Sequence, residues 1–181
     1  FAPLLFGIAA WFSCFTVIEA PVLVHLFGGA EFAAALIPVQ IMAFYPAHQA
    51  YGQLASSVFH ATGRTKTLRN MAFLEHCGGL ALVWLFVAPP DLLGMGLGAT
   101  GLALKTVLTQ FVMVNLLFWL ASRLIPLHFL RNLLLQGLIL GAFLLLAWLS
   151  QQATEMLLAD LSQILRFLLS GIVYTLLSGI L

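Results

Sequence analysis

Apolar residues fill six long runs of this chain, and the polar residues gather mainly between them. A helix that crosses a bilayer needs about 20 mostly apolar residues. Runs of that kind lie at about 2–24, 33–62, 71–87, 98–120, 130–149 and 156–181. None alternates strictly, as a barrel strand would, and within lipid only helices and closed barrels satisfy their own backbone. The pattern therefore predicts an all-α fold, a polytopic transmembrane bundle of about six helices forming a single domain over residues 1–181.

The ends of the runs carry local signals. Gly28 and Gly29 permit a turn after the first, and Gly63 stands where a cap of the second would be. Pro89 and Pro90 stop the third, and Pro126 separates the fourth from the fifth. Gly94, Gly96, Gly98 and Gly101 lead into the fourth with small residues that allow close helix approach.

Polar residues inside the runs are the informative ones, because lipid makes them costly. In the second run Tyr45, Gln49, Gln53, Ser56 and His60 are spaced by four, four, three and four, which places them on one helical face. Such a stripe either walls a cavity for a polar ligand or bonds helices to one another. His48 lies beside it, able to exchange a proton or to serve structure alone. Lys105, about two turns into the fourth run, is a candidate anion contact, or its ammonium snorkels to the headgroups. Glu19, and Glu75 with His76, are candidates for cation coupling; each also lies within about two turns of a membrane surface, which is the interfacial reading.

Charge sets orientation. The chain is 62% hydrophobic and 7% charged with a formal net charge of +1, too few charges to cover a water-soluble surface. Arg64, Lys66 and Arg69 form the one dense basic cluster and read as a cytoplasmic topology loop. Arg123, His128 and Arg131 follow the fourth run, whereas Glu31, Asp91, and Gln151, Gln152, Glu155 and Asp160 mark the other connections. The alternation predicts a first helix running outward and a cytoplasmic C-terminus. Arg166 is the exception within the last run; it must snorkel, pair with Asp160 or Glu155, or face protein.

Cys14 and Cys77 both sit in apolar runs and read as small packing residues rather than a disulfide or metal pair. No phosphate-binding glycine loop, zinc spacing or nucleophile elbow is present, and the connections are short. The expectation is a non-enzymatic protein of the lipid bilayer, with no nucleic-acid partner, no metal and no cofactor beyond possible coupling to H+ or Na+.

The stretch VLVHLFGGAEFAAALIPVQIMAF, followed by SVFHATGRTKTLRN and then by GLGATGLALKT, resembles the C-terminal half of polysaccharide and oligosaccharide flippases. These belong to the multidrug/oligosaccharidyl-lipid/polysaccharide exporter superfamily. Gly63, Arg64, Thr65 and Lys66 match the family's cytoplasmic loop pattern, and the resemblance covers roughly residues 22–121. It implies the C-terminal lobe of a two-lobed transporter of 12 to 14 helices, with an N-terminal lobe upstream of Phe1. It further implies a prokaryotic inner-membrane protein that flips polyprenyl-diphosphate-linked glycans by alternating access. Gln49, Gln53 and Lys105 would then contribute to the cavity. A cation-coupled drug exporter of the same superfamily, a membrane-embedded glycan-assembly enzyme and a non-transporting scaffold subunit are the alternatives.

Overall fold

The computed structural model describes residues 2–125, 128–158 and 161–179. Pro126, expected to separate two runs, and Asp160, a suggested partner for Arg166, lie outside the described residues, as do Phe1 and the last two positions. The chain is a helical membrane bundle. Its elements are α1 (Ala2–Gly28), a 3-10 turn (Ala30–Ala35) running into α2 (Leu36–Met42), α3 (Tyr45–Ala61), α4 (Thr65–Val87), a short 3-10 turn (Pro90–Leu92), α5 (Gly98–Ala121), α6 (Phe129–Leu157) and α7 (Gln163–Ser178). Five stretches among the described residues are long and apolar enough to cross a membrane, and α7 is a shorter apolar helix.

α1 stands in the middle, packed against α2, α3, α6 and α7, while α5 packs against α2, α3 and α4. α1 can take that place because Ala10, Ser13, Cys14 and Ala20 are small and fully or nearly fully buried, which lets neighbouring backbones approach. The core joins Phe6 and Ala10 of α1 to Ala47, Tyr51 and Ala55 of α3 and to Val114 and Phe118 of α5. Tyr51 lies between Phe6 at 5.0 Å and Phe118 at 5.3 Å, centroid to centroid. Large apolar side chains point outward elsewhere, including Phe73, Leu80, Leu134 and Leu138, as a lipid-facing surface requires.

Three of the expected spans change shape. The second is one continuous stretch, Ala30–Ala61, but it opens as a 3-10 turn and its regular helical bonding is interrupted at Ala43 and Phe44, whose backbone stays in the right-handed helical region. The cause is Pro46, which has no N–H for the Met42 carbonyl and whose ring crowds that carbonyl. The third begins earlier, at Thr65, so Lys66 and Arg69 lie on α4 and only Arg64 remains in the connection. The fifth runs on to Leu157 and takes in Gln151, Gln152 and Glu155, which the sequence assigns to a connection. That polar extension stays helical because α1 and α7 cover one side of it, with Ser150 and Thr154 buried. The sixth span accordingly starts at Gln163 rather than near Met156, and its 16 residues reach about 24 Å at a helical rise.

Other ends follow the sequence. Gly63 adopts φ +68, and the Arg64 N–H reaches back to the Phe59 carbonyl at 2.9 Å, closing α3 in a left-handed glycine cap. α4 stops at Val87, ahead of the extended Ala88 and the Pro89–Pro90 pair. Gly101 is buried where a Cβ would fall 2.6 Å from the Phe86 carbonyl oxygen, so α4 and α5 meet there backbone to backbone.

Candidate functional site

Two polar features interrupt the apolar bundle, at opposite sides of α1. The first is the stripe on α3. Its neighbouring face, Ala47, His48, Tyr51, Ala55 and Phe59, is buried against α1 and α5. The stripe is turned away from that face: Gln53 is exposed, Tyr45, Gln49 and Ser56 are half-buried, and His60 is exposed one turn before the Gly63 cap. Gln49 is tied in directly, accepting through Oε1 from Gln110 Nε2 of α5 at 2.6 Å. Asn115 bonds back to its own helix, to the Phe111 carbonyl.

Lys105 is not part of that group. Its stem crosses Gly79 of α4, where a Cβ would meet Lys105 Cε at 3.0 Å, so the absent side chain on α4 makes room for the lysine. His48 is buried, edge-on to Phe111 at 4.9 Å, with Nδ1 lacking a partner among the described residues. Glu75 is half-buried and His76 exposed on the peripheral helix α4. The residues considered for proton or cation coupling, Glu19, His48, Glu75 and His76, are thus dispersed over α1, α3 and α4. Arg64, Lys66 and Arg69 are all exposed around the α3–α4 junction.

The second feature lies between α1, α6 and α7. Glu19 is only 2% exposed. It is enclosed because α7 lies alongside α1: Trp11 Nε1 donates to Ser178 Oγ at 2.7 Å, Tyr174 OH donates to the Trp11 carbonyl at 3.0 Å, and the Tyr174 ring stacks on Trp11 and Phe15. One turn above Tyr174, Ser170 Oγ lies 2.7 Å from Glu19 Oε1 and 3.4 Å from Ser150 Oγ of α6. A cavity of about 220 Å³ adjoins this group, lined by Glu19, Gln151, Thr154, Glu155, Gln163 and Arg166 together with apolar neighbours. Arg166 therefore faces protein, one of the options open from the sequence.

Sequence reasoning singles out Glu19 and Arg166 but not Ser150, Thr154 or Ser170. A local signal existed: Ser150 and Thr154 are four apart, and Ser170, Tyr174 and Ser178 repeat every four residues, each set marking one polar face of an apolar helix. The cysteines separate as well. Cys14 is buried, its thiol 3.6 Å from the Leu140 carbonyl, whereas Cys77 is exposed on α4 and packs nothing, contrary to the packing role expected of it. Among the described residues no group of three or more His, Cys, Asp or Glu side chains could hold a metal ion.

No family model matches the chain, and neither does any curated protein or solved structure.

Proposed function

We propose that the chain belongs to the translocating body of a multi-pass transporter that moves lipid-linked oligosaccharide precursors across the cytoplasmic membrane of a prokaryote by alternating access. The observation that carries this reading is the outward set of the α3 stripe. An amide left without partners in hydrocarbon costs several kcal/mol, so Gln53, on a face turned away from the bundle core, has to meet water or further polar protein. A second lobe facing α3 across a hydrated cavity meets that demand. The Gln49–Gln110 pair then offers amide donors and acceptors at the cavity wall, the chemistry a sugar hydroxyl or a diphosphate requires.

The sequence resemblance to polysaccharide flippases points the same way, and the basic groups around the α3–α4 junction favour a cytoplasmic end there and a cytoplasmic C-terminus. Lys105 enters as a cation at the α4–α5 seam rather than beside the stripe, so its part in recognising a diphosphate requires that seam to open during the cycle. A coupled drug exporter would use the same scaffold with a different cavity. The test is reconstitution of the protein in vesicles with a fluorescent polyprenyl-diphosphate oligosaccharide whose leaflet is read by an impermeant quencher. Transfer between leaflets that falls at least tenfold in Q49L/Q53L, at unchanged protein level, supports the reading; transfer no faster than in empty vesicles rejects it.

A further inference from the structure

We infer that α1, α6 and α7 bind one phospholipid, its head group carrying a primary ammonium into the cavity between the three helices and an acyl chain lying in the groove between α1 and α7. The site is independent of the function proposed above.

The cavity brings opposite charges to one place. Glu19 of α1 and Glu155 of α6 line it together with Arg166 of α7 and the amides of Gln151 and Gln163. Arg166 Nε is buried with no partner among the described residues, and a buried donor left unpaired costs about 1–3 kcal/mol. A phosphate oxygen supplies that acceptor, and the guanidinium fork suits phosphate geometry. The two acids call for the opposite group. A primary ammonium offers three N–H donors to carboxylates, whereas the quaternary nitrogen of choline has none and a wholly anionic head group meets two like charges. Phosphate and primary ammonium joined by a short linker answer both ends. The cavity, about 220 Å³, equals the volume of roughly seven waters at ~30 Å³ each, which is room for such a group.

What adjoins the cavity points to a lipid rather than to a soluble zwitterion. A second cavity, of about 330 Å³, shares Val22 and Gln163 with the first and sets the donors His25 and Ser162 beside Leu26 and Ile164. That mixture suits the ester region below a head group. Further along the same two helices Trp11, Leu168, Gly171, Ile172 and Leu176 line an apolar groove of about 350 Å³. Gly171 keeps its floor open: a Cβ there would lie 3.3 Å from Phe15 of α1. Ile164, Leu168, Ile172 and Leu176 recur every four residues and are all exposed, so one apolar edge runs from the second cavity down the groove. Between Ile164 and Leu176 α7 rises about 18 Å, close to half of a hydrocarbon core about 30 Å thick. One acyl chain of one leaflet spans that distance.

Native mass spectrometry of the full chain, released from nanodiscs of equal parts phosphatidylethanolamine, phosphatidylcholine and phosphatidylglycerol, reads the site whether or not the protein transports anything. The expected result is one lipid retained per chain, the ethanolamine lipid favoured about fivefold or more over each of the others. E155K, at an exposed position, turns a carboxylate into an ammonium and moves the preference to phosphatidylglycerol, a gain that a misfolded chain does not show. R166Q, which removes the guanidinium, and G171L, which fills the groove, lower retention of all three lipids. Excess glycerophosphoethanolamine, the head group without chains, leaves the retained lipid in place. Absence of retained lipid, equal retention of the three, an unchanged preference in E155K, undiminished retention in R166Q or G171L, or displacement by the chainless head group overturns the assignment. A failed flipping assay beside a retained ethanolamine lipid rejects the transport reading alone.

Discussion

Gln40 of α2 donates from Nε2 to the carbonyl oxygen of Val17 on α1, across 3.2 Å. Val17 is the residue four positions before Pro21, which sits inside α1 and has no N–H to return to it. The side chain of one helix thus supplies the bond that a proline removes from another, and α1 continues unbroken to Gly28. Ahead of Pro46 the regular helical bonding is interrupted instead, at Ala43 and Phe44.

That relationship is testable by a double substitution. Q40L should destabilise the bundle by about 1–2 kcal/mol, the cost of an orphaned buried carbonyl. In a P21A background, where an N–H returns to Val17, the same change should cost nearly nothing. Detergent unfolding curves of the four proteins check this, and equal costs in both backgrounds would contradict it.

The two prolines also mark how far the sequence could be read. Helix number, the Gly63 cap and the Pro89–Pro90 stop are local properties, and hydropathy and turn chemistry expose them. Whether a proline breaks its helix depends on what lies across from it, and Gln40 is 23 positions from Val17. The candidate site divides in the same way. Glu19 stands out as an acid in an apolar run, but its neighbour Ser170 is 151 positions away, and spacing within one helix says nothing of which helix it will meet. The α3 stripe, a matter of spacing alone, is where the periodicity places it, whereas Lys105 is diverted to the α4–α5 seam by the absence of a side chain at Gly79.

The two glycines at that seam should respond differently. In G101A the new Cβ falls 2.6 Å from a backbone oxygen of Phe86, so the helices must separate, at a cost of about 1–3 kcal/mol. In G79A the new Cβ meets the flexible end of Lys105 at 3.0 Å, and the lysine can swing aside, with a cost well under about 1 kcal/mol. Thermal unfolding of the two variants should rank them in that order.

Tyr174 joins α7 to α1 by ring stacking and by one hydroxyl. Y174F keeps the stacking on Trp11 and Phe15 and loses only the bond to the Trp11 carbonyl, a change of about 0.5–1 kcal/mol for an inter-helix hydrogen bond in a membrane. Y174A removes a fully buried ring and should cost about 3–5 kcal/mol. Detergent unfolding curves should place Y174F close to the unsubstituted protein and Y174A well below it; equal midpoints for the two variants would contradict this.

Gln53 and Phe73 are both exposed, but under the proposed function one faces water and the other lipid. A cysteine at Gln53, in a protein with Cys14 and Cys77 replaced by serine or alanine, should react with a membrane-impermeant maleimide at least tenfold faster than a cysteine at Phe73. Equal rates would remove the hydrated cavity.

The proposed role of this bundle in a transporter of lipid-linked oligosaccharides is tested by the initial rate of transfer between leaflets in proteoliposomes. The expected rate scales with the amount of protein, saturates with the polyprenyl-diphosphate oligosaccharide and collapses in Q49L/Q53L while the vesicles remain sealed. A rate equal to that of protein-free vesicles, or one indifferent to Gln49 and Gln53, would contradict it.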